Sequence, residues 1–177
     1  MKLYMKKLLL ILAVSASFMA CKEQSSTAEK QSIGFDLAGG SEKAALYGGD
    51  TTNVTLFENW IQALNDRDTA TQRSLEASDS LKIYTPDGDV LTAGDDYKNY
   101  MATYFTNKNP KWKLNFALAN KSIDKNGKVS EWVTSSGTVT HTVDGKETKV
   151  NRYFDANIVN GKIQKMYIAD RKLALGE

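Results

Sequence analysis

The chain has 177 residues, 41% of them hydrophobic, with 23 lysines and arginines against 21 aspartates and glutamates and a formal charge of +2. That near balance excludes the strongly basic surface a nucleic-acid partner requires, and the length fits one domain with a real core. A single histidine and a single cysteine leave no metal-ligand cluster, and neither a glycine-rich phosphate loop nor a nucleophile elbow is present, so neither metal nor cofactor is expected.

Lys2, Lys6 and Lys7 precede an apolar run from Leu8 to Ala20, the layout of an export signal and shorter than the roughly 20 residues of a spanning helix. Phe18-Met19-Ala20-Cys21 resembles a bacterial lipobox, in which the chain is cut before the cysteine and the cysteine is lipidated. An ordinary secretory signal is the alternative, because Phe18 stands where leucine is usual. A lone thiol in an exported protein makes no internal disulfide, and lipidation gives Cys21 a role. Residues 1–20 are thus expected to be a signal peptide, with lipidated Cys21 holding the protein to the membrane of the bacterial cell envelope, at the outer membrane. Loss of the three lysines leaves the mature chain with one net negative charge.

Residues 22–32 lack the apolar side chains that offset ordering entropy and read as a tether. Residues 33–50, with five glycines, read as a loosely attached lead-in. The expected organisation is therefore a signal at 1–20, lipidated cysteine, tether and lead-in at 21–50, and a folded domain at 51–177.

Thr51 or Thr52 can cap a helix in which Val54, Phe57, Trp60, Ile61 and Leu64 share a face. Asp68 can cap a second, shorter helix through Leu75, and Leu81–Tyr84 reads as a strand ending at the Pro86-Asp87-Gly88 turn. Gly94-Asp95-Asp96 opens a third helix with Tyr97, Tyr100, Met101, Tyr104 and Phe105 on one face. After Pro110 the period changes to two, placing Trp112, Leu114, Phe116 and Leu118 on one side of a strand. Asn126-Gly127, Asp144-Gly145 and Asn160-Gly161 are hairpin turns that set off strands near 129–143, 146–159 and 162–171. Helices first and a meander of long strands afterwards predict an α+β fold with helices on one face of an antiparallel sheet.

This element order, read with Asp87-Gly88, Gly94-Asp95-Asp96-Tyr97 and the Asn160-Gly161-Lys162-Ile163 turn, resembles the SnoaL-like branch of the nuclear transport factor 2-like superfamily over about residues 51–172. The resemblance implies a cone-shaped, curved antiparallel sheet wrapped around the N-terminal helices, a small-molecule pocket and often a homodimer. It does not imply one activity, since relatives include isomerases, cyclases, dehydratases, epoxide hydrolases and non-catalytic domains.

Strand alternation nominates the polar groups inside the cone. Arg152 shares a face with Val150, Phe154, Ala156 and Ile158, so it needs either a carboxylate partner or an anionic ligand. Val129, Val133, Val139 and Val143 define an inner face that places Glu131 and His141 inward, and a neutral imidazole is able to act as a general base; a bulge at Ser135-Ser136-Gly137 would turn His141 outward. The aspartate, arginine and aspartate set of epoxide hydrolases of this fold is incomplete here: Asp155, three residues from Arg152, falls on the opposite face and leaves Asp170 as the late candidate. Asp87, Asp89, Asp95 and Asp96 read as turn and helix-start residues.

The catalytic candidates are thus His141, Arg152 and Asp170, and the ligand-binding candidates are Trp60, Tyr84, Tyr97, Tyr100, Tyr104, Trp112 and Arg152. The favoured expectation is a cone that binds a small, mostly apolar molecule or a protein partner without catalysis. The alternative is an isomerase, cyclase or hydrolase using His141 or a pocket carboxylate with Arg152.

Overall fold

The computed structural model describes residues 31–37 and 42–173. Cys21, the signal sequence and the tether up to residue 30 lie outside the described residues. Within them, two short strands, β1 (Gly34–Asp36) and β2 (Ala44–Gly48), precede helices α1 (Thr51–Asp66) and α2 (Thr69–Ser74). A small hairpin, β3 (Lys82–Tyr84) and β4 (Val90–Thr92), leads into α3 (Asp95–Lys108). Four long strands follow: β5 (Lys111–Ile123), β6 (Val129–Val143), β7 (Lys146–Val159) and β8 (Lys162–Lys172).

All eight strands form one sheet in the order β1-β2-β5-β6-β7-β8-β3-β4. The long meander is antiparallel because short turns connect its strands, five residues between β5 and β6 and two at each of the other connections. Asp144 and Gly145 at one turn, and Asn160 and Gly161 at the next, all take positive φ, as a hairpin matched to strand twist demands. The β3–β4 hairpin then docks beside β8 in parallel register, Ile83 opposite Met166.

Helix α1 covers the inner face. Its apolar stripe of Phe57, Trp60, Ile61 and Leu64 is buried against Val133, Val139, Phe154 and Ala156 of the strands. Phe57, Trp60 and Phe154 form an aromatic cluster with centroids 5.5–6.3 Å apart. Asp50, not Thr51 or Thr52, caps this helix, its carboxylate accepting from the Thr52 amide. Asp68 caps α2 as expected, accepting from the Thr71 amide.

Two features of the sheet differ from the sequence expectation. The folded unit reaches back to Ser32 rather than starting at Thr51. Inside the supposed lead-in, Ala45–Gly48 pairs with Asn120–Ile123 of β5, and β1 pairs with β2 in turn. Backbone pairing to an open sheet edge needs few apolar side chains, so composition did not reveal it. The other difference is in β5, where a bulge between Leu114 and Phe116 reverses the alternation. Trp112 is buried, but Phe116 and Leu118 point outward and are about half exposed, while Ala117 and Ala119 take the inner side. Gly137 lies opposite the bulge, and a side chain there would meet the Lys113 carbonyl at 2.7 Å. Only glycine admits that approach.

Strand β6 carries no bulge against β7, where the register runs unbroken from Glu131 to Val143. His141 therefore faces inward with Val133 and Val139, while Val129 and Val143 at the strand ends are exposed.

Candidate functional site

Between α3 and the inner face of the sheet lies a cavity of about 340 Å³, within the range of small-molecule sites. Trp60 and Leu64 of α1, Phe154 of β7 and Ile168 of β8 form its floor. Helix α3 supplies one wall through Tyr97, Tyr100, Met101 and Tyr104, residues three or four apart that a helix stacks on one side. Trp112 and Ile83 complete the apolar lining, and Asp87 and Lys108 stand at the exposed rim.

Four polar side chains from four elements meet in this cavity. Arg152, on β7, is 8% exposed and pairs in register with Asp170 on β8. Its Nε and Nη2 donate to the two Asp170 carboxylate oxygens at 2.7 Å each, a planar fork that matches guanidinium to carboxylate. Its Nη1 donates to Tyr104 Oη at 3.2 Å, and Tyr104 Oη lies 2.7 Å from His141 Nε2. Because Tyr104 accepts from the guanidinium, its own proton is free to go to the imidazole nitrogen.

The electrostatics agree with that direction. Burial works against the Arg152 charge, but Asp170 and Tyr104 outweigh it and hold the guanidinium firmly protonated. Burial and the neighbouring Arg152 and Lys108 charges, partly opposed by Asp170, lower the His141 pKa below the ordinary histidine range. The ring is therefore neutral near pH 7 and able to accept. Burial raises the Tyr104 pKa despite the Arg152 charge, so the phenol keeps its proton.

Behind the cavity wall a second network fixes the aromatic rings. Glu76 is 4% exposed, and its Oε1 accepts from Trp60 Nε1 at 2.8 Å, Gln72 Nε2 at 2.9 Å and Tyr97 Oη at 2.7 Å. Tyr97 thus offers the cavity a ring face, its hydroxyl being turned to Glu76. Burial and the Glu76 charge raise its pKa well above the usual tyrosine value.

The structure brings His141, Arg152, Asp170, Trp60, Tyr97, Tyr100, Tyr104 and Trp112 to the lining of one cavity. Tyr84 is the exception. Its neighbour Ile83 points into the cavity, so Tyr84 faces the outer side of the sheet, stacked on Tyr167 at 4.7 Å. Asp155 also lies outside, accepting from Thr134 Oγ1 at 2.8 Å. Asp87 is a turn residue, and the turn that it builds forms part of the cavity rim. Among the described residues no cluster of histidine, cysteine, aspartate and glutamate suits a metal ion.

No protein-family model matches the sequence, and no curated protein matches it. Solved structures do match it. An epoxide hydrolase of M. tuberculosis, described as LEH-like, is 12% identical with a TM-score of 0.54, over 68% of this chain and 84% of that one. An epoxide hydrolase/cyclase-like enzyme of pyran ring formation in the polyether salinomycin is 15% identical with a TM-score of 0.54, over 68% and 92%. A protein of ketosteroid isomerase-like fold from Catenulispora acidiphila, solved with trimethylamine, is 13% identical with a TM-score of 0.52, over 67% and 85%. Likeness at such low identity carries the fold and not the activity. The curved, unclosed α+β sheet packed over its helices is the fold that these neighbours share, and it is the cone architecture that the resemblance to the nuclear transport factor 2-like superfamily implies.

Proposed function

We propose that this is a lipid-anchored protein of the bacterial envelope, held at the outer membrane through Cys21, whose cone binds a small, mostly apolar molecule without transforming it. The carrying observation is that both candidate bases are already engaged. The His141 Nε2 lone pair receives the Tyr104 hydroxyl at 2.7 Å, and both Asp170 oxygens receive Arg152. A general base needs an open lone pair within reach of the proton that it removes. Here the polar groups satisfy one another and leave an apolar cavity for the ligand. The outer face of the sheet, with Phe116, Leu118, Tyr153 and Tyr167 exposed, is the surface available for a second copy or a protein partner.

The alternative is an isomerase, cyclase or hydrolase, favoured by the short Tyr104–His141 contact, which is able to pass a proton between phenol and imidazole. Native mass spectrometry of protein purified without detergent tests the first reading by showing a retained small molecule. For a binding cone, His141→Ala leaves retention nearly unchanged while Arg152→Ala weakens it. If instead the retained compound is converted, and His141→Ala lowers turnover by roughly 10² to 10⁴, the enzyme reading replaces it.

A further inference from the structure

We infer that the cavity selects an uncharged ligand whose polar end is a hydrogen-bond acceptor, such as a carbonyl or ether oxygen, received by the hydroxyl of Tyr100. The inference deepens the binding reading above and rests on it. It begins with the charge inventory. The ionisable side chains lining the cavity, apart from tyrosines, are Asp87, Lys108, His141, Arg152 and Asp170. His141 is neutral near pH 7, and the other four balance. Asp87 and Lys108 stand at the exposed rim, where water solvates them, whereas Arg152 and Asp170 are matched atom to atom inside.

Away from the rim, an anionic ligand therefore finds no free cation. A carboxylate reaching Arg152 must displace Asp170 from the fork, which leaves that carboxylate partnerless and crowded by a like charge. Away from the rim, a cationic ligand finds no free anion, because Asp170 is taken, and it must enter beside the Arg152 guanidinium. Either charge loses its hydration against walls of tryptophan, tyrosine, phenylalanine, leucine and isoleucine, with nothing to replace it.

Two of the three tyrosine hydroxyls are already engaged, Tyr104 donating a hydrogen bond to His141 and Tyr97 donating one to Glu76. Tyr100 sits one helical turn before Tyr104, with the two rings stacked at 6.2 Å, and lines the same wall. Its half-buried hydroxyl has no hydrogen-bond partner among the described residues, and burial raises its pKa, so it remains a neutral donor. A ligand oxygen is the group that satisfies it.

The test is calorimetric titration of the purified protein at pH 7.5 with 2-decanone, decanoate, decylammonium and decane, four probes that share a ten-carbon skeleton and differ in charge and polarity. The expected result is that 2-decanone binds at least 10-fold more tightly than either ion. Tyr100→Phe should weaken 2-decanone by about 3- to 10-fold, the usual effect of losing a neutral hydrogen bond, and leave decane binding unchanged. Equal or tighter binding of decanoate or decylammonium overturns the inference while the binding reading stands. Unchanged 2-decanone affinity in Tyr100→Phe overturns the role given to Tyr100. Failure of every probe, decane included, removes the binding reading and this inference with it.

Discussion

Arg152 and Asp170 are direct register partners across β7 and β8, so the sheet itself delivers carboxylate to guanidinium with two 2.7 Å hydrogen bonds. The backbone ladder fixes both Cα positions, and the side chains need to give up little further freedom to meet. Asp170→Ala should lower stability by about 3 kcal/mol, because it leaves Arg152 charged and mostly buried without a counter-ion. Arg152→Met combined with Asp170→Ala should recover most of that loss, which thermal unfolding of the single and double variants will show. A double variant as unstable as Asp170→Ala alone would mean that the pair is not the cause.

His141 should make stability depend on pH. Its pKa is lowered in the fold by burial and by Arg152, so the unfolded chain binds a proton first as pH falls. The contribution is complete above the ordinary histidine value of 6.5 and is lost progressively as pH drops towards the lower folded value. Urea midpoints between pH 8 and pH 5 should fall with pH more steeply for the native chain than for His141→Asn. Parallel curves would show that His141 is not held neutral.

Gly137→Ala should destabilise the sheet by about 1 to 3 kcal/mol, the cost of forcing an extra atom into a packed interior. The added carbon would lie 2.7 Å from the Lys113 carbonyl. Because Trp112 adjoins this bulge, the variant should also alter tryptophan fluorescence. An unchanged melting temperature would refute the account of the bulge given above.

A chain lacking residues 22–47 should keep the cavity, to which β1 and β2 contribute no lining residue, yet expose the β5 edge that β2 covers. Uncovered edges recruit strands from other molecules. Size-exclusion chromatography should therefore show self-association, and calorimetry a lower midpoint. A monomer with the native midpoint would return the domain boundary to Thr51.

Cys21→Ser should move the protein from the membrane fraction to the soluble one, since acyl chains contribute about 0.8 kcal/mol per buried methylene and supply nearly all the attachment. Retention through a detergent-free wash would identify residues 1–20 as a spanning segment.

The legible parts of this fold are those where one local rule decides. Paired turn residues at 144–145 and 160–161 set three long strands, and unbroken alternation in β6 and β7 then put His141 and Arg152 on the inner side. Tyr84 was misplaced because a three-residue strand offers too little alternation to tell its two faces apart. The outward turn of Phe116 and Leu118 was hidden for another reason: the bulge that causes it is a relation between β5 and Gly137, 23 positions away in pairing terms of Leu114 and recorded in neither segment alone. Tyr100 was legible as part of an aromatic wall, but its distinction from Tyr97 depends on Glu76, a partner that only the folded chain supplies.

The parallel contact of β3 with β8 also governs when the cavity comes into being. Ser80 and Gln164, 84 residues apart, share a hydrogen bond at this seam, and Ile168 and Asp170 arrive only with the final strand. A chain that emerges amino end first therefore has its helices in hand long before the last wall, and its arginine 18 residues before the counter-ion. Until that strand is out, Arg152 lacks the carboxylate that offsets its burial. Delivery of the carboxyl-terminal strand is the event that completes the receptor.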